Sequence, residues 1–348
     1  DKIVVLGLPV NPMYTDFRII HIMEHVVFLF GFLLCSAIVT ADVDKCHRNG
    51  ETLDCSQVEM TSMLQDLDLG DLKILNFSNN LLQVLDNSAF PYSNTIEKFD
   101  LSQNLLKHLG HFTFKHFVML NWLSLRNNYL KNLTEGTFVG LTNLKFLDLS
   151  ENRLHTMLPN VLYPLPSLTT LILKSNPMNW EEFSRSSIFP FSFASWLEFL
   201  DLCDTSLASL PDYAFVNNTF LKELNLCQNE IKEVPVEALR PLRESLKVLD
   251  LSFTLLEEIT VERGLSGYPK MEVLKLNGLS RLIKLSKSSL ALLPSLQHFS
   301  CENNPLLTHI DPKVFYQDST LTSPAIMTLK LGHNSLKYIS PTLVNWSS

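Results

Sequence analysis

A chain of 348 residues is long enough to bury a sizeable core, and 46% hydrophobic with 18% charged content excludes a disordered protein. A net charge of −8 argues against non-specific nucleic-acid binding, which needs a basic surface. No run of 18 or more apolar residues reads as a transmembrane helix.

The N-terminus divides in two. Residues 26–39, VVFLFGFLLCSAIV, are apolar but too short to span a bilayer, and Val39-Thr40-Ala41 places small residues where a cleavage site needs them. This predicts a secretory signal peptide over 23–41, starting at Met23, with residues 1–22 as a non-native upstream extension. Cys35 would leave with the leader. A buried core helix is the alternative, but the repeats from Leu72 onward leave it no core to join. The mature chain then starts at Asp42, with 26 basic and 33 acidic residues, in a compartment where disulfides and N-glycans form.

Residues 42–71 read as an N-terminal cap and first partial turn. CHRNGETLDC (46–55) holds two cysteines around an Asn-Gly turn signal, which predicts a hairpin closed by Cys46–Cys55.

From Leu72 the chain repeats. LKILNFSNNLLQVL at 72, IEKFDLSQNLLKHL at 96, LNWLSLRNNYLKNL at 120 and LKFLDLSENRLHTM at 144 stand 24 residues apart. The register continues at 168, 197, 221, 246, 271, 296 and 326, giving eleven units over 72–348, the last incomplete. The pattern is LxxLxLxxNxLxxLxxxxFxxLxx. Its LxL segment is a short strand whose inward leucines stack on the next turn. The Asn at the ninth place, as at Asn80, Asn104, Asn128 and Asn152, can satisfy backbone groups that the inward turn would bury unpaired. Thr205 and Thr254 at that place retain a hydrogen-bonding group; Leu279 does not, and LNGLSRLIKL looks one residue long. Insertions lengthen the fifth unit (180–196, rich in Phe and Trp) and the tenth (316–324). The first is expected to pack on itself, an exposed apolar partner site being the alternative.

These eleven in-phase matches resemble the typical extracellular leucine-rich repeat of Toll-like and Slit-like ectodomains. The resemblance implies an α/β repeat solenoid, a right-handed horseshoe with a parallel concave sheet and a convex side of loops and short helices. It also implies a cysteine cap: LDCS looks like the last cysteine of the family's N-terminal cap, reduced here from four cysteines to two. No C-terminal cysteine cap appears, so the chain reads as a fragment whose missing tail could carry an anchor or signalling domain. A free solenoid edge there would predict a homodimer.

Cys203 and Cys227 share one place in adjacent units. Strands about 4.8 Å apart admit a disulfide between them; two free thiols in a column are the equal alternative. Cys301 replaces a core leucine and is expected as a buried thiol.

The variable places of LxxLxLxx face solvent on the inner sheet, roughly 50 Å long for eleven strands. Trp122, Phe146 and Phe199 at the third place, with Ile172, form an aromatic group near the middle, and aromatics on an open sheet are hot-spot candidates. Phe at that place is also ordinary in such repeats. Asp148 and Asp201 belong to an interrupted acidic column with Asp100 and Asp250, although LDLS is itself a consensus phrase. Arg126, Lys174 and Glu223 complete the candidate ligand-binding set. Sequons stand at Asn76, Asn132, Asn217 and Asn345; the last three are expected on loops or the convex side. Asn76 lies on the inner face, where a glycan would keep a ligand off the first unit.

No nucleophile elbow, phosphate loop, HExxH, EF-hand or CxxC occurs, so no enzyme, metal site or cofactor is expected. His108, His111 and His116 cluster without companion ligands. The expected function is a secreted or cell-surface module that binds a protein, in adhesion or innate immune recognition. A structural extracellular-matrix protein that binds matrix proteins or itself is the alternative.

Overall fold

The computed structural model describes residues 45–63, 67–158, 160–181, 189–260, 265–316, 324 and 326–343. All but Lys45 belong to one compact unit, Cys46–Ser348. The expected leader (23–41), the upstream extension, Asn345 and the middle of both insertions lie outside the described residues.

The repeats build one sheet of thirteen strands. The first two, His47–Asn49 and Thr52–Asp54, form the antiparallel hairpin that Cys46–Cys55 closes. Eleven parallel strands succeed them, one per unit, from Ile74–Asn76 to Thr328–Lys330. Adjacent units pair place for place: Trp122 with Phe146, Leu123 with Leu147, Ser124 with Asp148. The inward leucines force this register, even where units run to 25, 29 or 30 residues, because a one-residue slip would turn every core leucine to solvent. Helix is scarce among the described residues, with an α-turn at Val236–Leu239 and 3-10 turns at Pro190–Phe193 and Arg240–Leu242.

Core leucines at the first, fourth and sixth places are almost all fully buried, and Phe90, Phe114, Phe138 and Phe215 are buried behind them. At the N-terminal end the rings form a cluster. Phe99 meets Phe77, Phe90 and Phe117 edge-on, with centroids 5.8, 5.1 and 5.5 Å apart. Much of the described fifth-unit insertion packs on itself: Phe189 and Phe191 are buried, Trp180 stacks on Phe189 at 5.8 Å and its indole donates to the Thr205 carbonyl at 2.7 Å, whereas Trp196 at its end is exposed.

Each ninth-place Asn bridges two turns. Asn104 donates to the carbonyls of Phe77 and Leu101 at 2.9 and 3.1 Å and accepts from the Leu82 N–H at 3.1 Å. Thr205 and Thr254 keep one of these bonds, donating to their own units at Leu202 and Leu251. Leu279 is buried and apolar there. Its unit is one residue longer before the second short strand, Lys284–Leu285, and the tenth unit shows the same lengthening before His309–Ile310.

The residue before that Asn takes a left-handed conformation in unit after unit, from Asn79 (φ +57°) through Gln228 (φ +56°) to His333 (φ +55°). Asn, Gln and Asp suit the place. Phe253 (φ +58°) does not, and is 55% exposed. Its ring lies over Gly278, where a Cβ would stand 2.3 Å from the ring. The glycine of the ninth unit is thus the counterpart of the misplaced aromatic of the eighth.

Candidate ligand-binding face

The solvent side of the main sheet carries the third and fifth places. Trp122 and Phe146 are both half-buried, and their rings stack at 5.2 Å with planes 6° apart. Parallel pairing in register causes the stack, since it sets identical places of adjacent units side by side. Thr170 separates this pair from Phe199, and Ile172 sits half-buried at the fifth place. Glu223 comes after Phe199 in the same column.

Charges around the stack are unequal. Lys98, Lys145 and Lys174 are exposed, whereas Arg126 is drawn into an ion pair with Glu151 at 2.7 Å. The acidic column is largely occupied with its own backbone. Asp100, Asp201 and Asp250 each accept the N–H two residues on, at 2.8–2.9 Å, which caps the strand end. Asp148 is 9% exposed and accepts both the N–H and the hydroxyl of Ser150, at 2.9 and 2.6 Å. The consensus phrase LDLS therefore has a local structural cause.

Asp201 differs from the others. Burial pushes its carboxyl above the usual carboxylate range, against the Cys203 N–H and Lys174, which lower it. Asn225 is its register partner, and the Asn225 side-chain Oδ1 is buried with no donor among the described residues. A carboxyl whose pKa is raised on folding favours the fold below its unfolded value and opposes it once both states ionise. Asp201→Asn is therefore expected to raise the melting temperature at neutral pH, on the order of 1–3 °C. The gain should vanish below about pH 3.8, the unfolded value. Calorimetry of both proteins across that range checks it.

Cys203 and Cys227 are bridged, with Cα atoms 4.5 Å apart, so the disulfide ties the sixth and seventh turns beside Asp201. Cys301 is buried and free; burial pushes its thiol up to about 12, and Asn304 donates to its sulfur at 3.1 Å.

Asn76 is half-buried on the sheet, its oxygen accepting from Ser78 N–H and hydroxyl at 3.1 and 2.7 Å. Asn132 is exposed away from the main sheet, in the short strand Asn132–Leu133, where the second straight segment of the turn pairs with Thr156–Met157. Asn217 is exposed on a turn, its amide 3.2 Å from the Ser192 carbonyl. An unanticipated pair, Trp196 and Phe220, stacks at 4.8 Å with both rings about half exposed. The sequence signal for it is an aromatic immediately before the first leucine of two successive units. Among the described residues, no three His, Cys, Asp or Glu stand together as metal ligands, and no helix is long and apolar enough to cross a membrane.

The leucine rich repeat family model matches residues 70–130, 119–178 and 196–256. Together with the register and the sheet, it makes this chain a leucine-rich-repeat protein, resembling Toll-like ectodomains. A crystal structure of a TLR13–ssRNA13 complex is 22% identical with a TM-score of 0.59, over 78% of this chain and 41% of that chain. The chain therefore spans about two fifths of that protein. The leucine-rich repeat domain of APL1B is 21% identical with a TM-score of 0.58, over 96% of this chain and 84% of that one. No curated protein matches. Such folds are typically protein-recognition modules and generally not enzymes.

Proposed function

We propose that this chain is a secreted or cell-surface recognition module that binds a protein on the solvent side of its main sheet, centred on Trp122 and Phe146. The carrying observation is their stack, a flat aromatic surface held half-exposed where nothing in the fold needs it. Rigid aromatics in this position are the side chains on which interface energy concentrates. Two disulfides support an oxidising compartment. The TLR13 structure is a complex with ssRNA13. Here the charge of −8 favours a protein over a nucleic acid, as does the want of a continuous basic column on the sheet among the described residues. Adhesion or immune recognition is the setting in which such a module fits, and Asn217 is the sequon whose exposure best suits a glycan.

The experiment expresses the protein from Met23 and recovers it from the medium, where an N-terminus at Asp42 supports the leader. The protein is then screened on an array of purified secreted proteins and ectodomains, beside Trp122→Ala, Phe146→Ala and Tyr92→Ala, Tyr92 being an exposed aromatic outside the main sheet. A partner that weakens by about 30-fold or more with Trp122→Ala, and not with Tyr92→Ala, supports this reading. Partners that ignore Trp122 and Phe146 overturn it.

A further inference from the structure

Beyond the sheet, the first to fourth and the eighth to tenth turns have a second straight segment, among the described residues. These segments pair as short parallel ladders: Val84–Leu85 with His108–Leu109, Asn132–Leu133 with Thr156–Met157, and Glu258–Ile259 with Lys284–Leu285. Their outward residues occupy the tenth, twelfth and thirteenth places and line one flank of the solenoid.

Charge on this flank is segregated. The second to fourth units expose Lys107, His108, Lys131, Arg153 and His155, with no carboxylate at those places. Lys107 and Lys131 have no carboxylate partner among the described residues, unlike Lys222 and Lys247, which pair with Glu198 and Glu272 at 2.7 Å. Arg153 rests on the Tyr129 ring, 4.4 Å from its centroid, which holds its guanidinium outward. The fifth and sixth units are neutral here, with Pro177, Asn179, Ser206 and Ala208 exposed. The seventh and eighth expose Glu230, Glu233, Glu257 and Glu258 against the single Lys232, and Glu257 is already paired with Arg281 of the ninth unit at 3.2 Å.

A ligand of one sign would satisfy one half of this strip and be repelled by the other. A second copy of the same chain, turned about a twofold axis at the fifth unit, satisfies both. The second unit then faces the eighth, the third faces the seventh, and the fourth faces the uncharged sixth. An isologous contact of this kind needs a self-complementary patch, which the strip is. We propose that two copies pair side by side and antiparallel through this flank. Lys107 and His108 of each copy meet Glu258 of the other, and Lys131 meets Glu230. The charged strip is roughly 29 Å long, six strand spacings, and only one short segment wide. That places it at the low end of specific interfaces. Association is therefore weak, in the micromolar range, and weakens with salt. A glycan on Asn132 would stand between the copies, so the pairing requires that residue to be unmodified.

Sedimentation of the secreted protein at low and high salt tests this, beside Lys107→Glu/Lys131→Glu and Glu230→Lys/Glu258→Lys. Each variant alone should dimerise at least tenfold more weakly than wild type. An equimolar mixture of the two should restore the dimer, as should one chain carrying all four changes. These are exposed positions, and circular dichroism confirms that each variant is folded. A wild-type monomer throughout the micromolar range overturns the inference. So does a mixture that fails to restore dimers, or a peptide map showing a glycan on Asn132.

Discussion

Asn128→Ala is expected to destabilise the protein by roughly 3–5 kcal/mol, summed over the three buried hydrogen bonds it would remove. Asn128 is 4% exposed. Its amide donates to the carbonyls of Leu101 and Leu125, both at 3.0 Å, and its oxygen accepts the Leu106 N–H at 3.0 Å. Alanine strands the Leu106 N–H in a site that water does not reach, at about 1–3 kcal/mol, and removes one of the two donors of the Leu101 and Leu125 carbonyls, at about 0.5–1.5 kcal/mol each, since Asn104 and Asn152 still donate to them. Asn128→Thr should cost roughly half as much. Thr205 and Thr254 show why: each hydroxyl still donates to its own turn, at 2.9 and 2.8 Å. Urea unfolding followed by circular dichroism orders the three proteins. An alanine variant within about 1 kcal/mol of wild type would show that the ladder is ornamental to stability.

That ladder is legible in the sequence, since a polar residue recurring at one place of an apolar repeat has few physical uses. The period likewise carries the strands and the buried phenylalanines. What the period cannot carry is what varies within a place. Phe253 looks like any variable residue, and only the left-handed backbone shared by its counterparts shows it to be misplaced, with Gly278 as its complement. The Asp column looks like a charged surface. The hydrogen bonds from Ser102, Ser150 and Ser252 to Asp100, Asp148 and Asp250 reveal it as strand capping. Cys203 and Cys227 cannot be paired from spacing because the direction of neighbouring side chains is a backbone property. The charged flank also escapes a linear reading. Its residues fall at three separated places per unit, and their segregation emerges only when turns are laid over one another.

Phe99→Ala should cost about 3–5 kcal/mol, the range for a fully buried aromatic. Its ring is enclosed by Phe77, Phe90 and Phe117, so removal opens a cavity among three rigid neighbours that have little means of collapsing into it. Phe299, at the other end, meets one ring, Phe315, at 5.4 Å, and Phe299→Ala should cost less. The location of the loss matters as much as its size. Each turn of a solenoid contacts only its neighbours, so its stability is a chain of nearest-neighbour terms rather than one global quantity. Hydrogen exchange of Phe99→Ala should therefore show protection lost in the first three units and the Cys46–Cys55 hairpin. Protection at Leu224 and Leu249, five and six strands away in the same sheet, should persist. A uniform loss across all eleven strands would mean that the units fold as one cooperative block. The stacking core, rather than the local turn, would then set stability throughout.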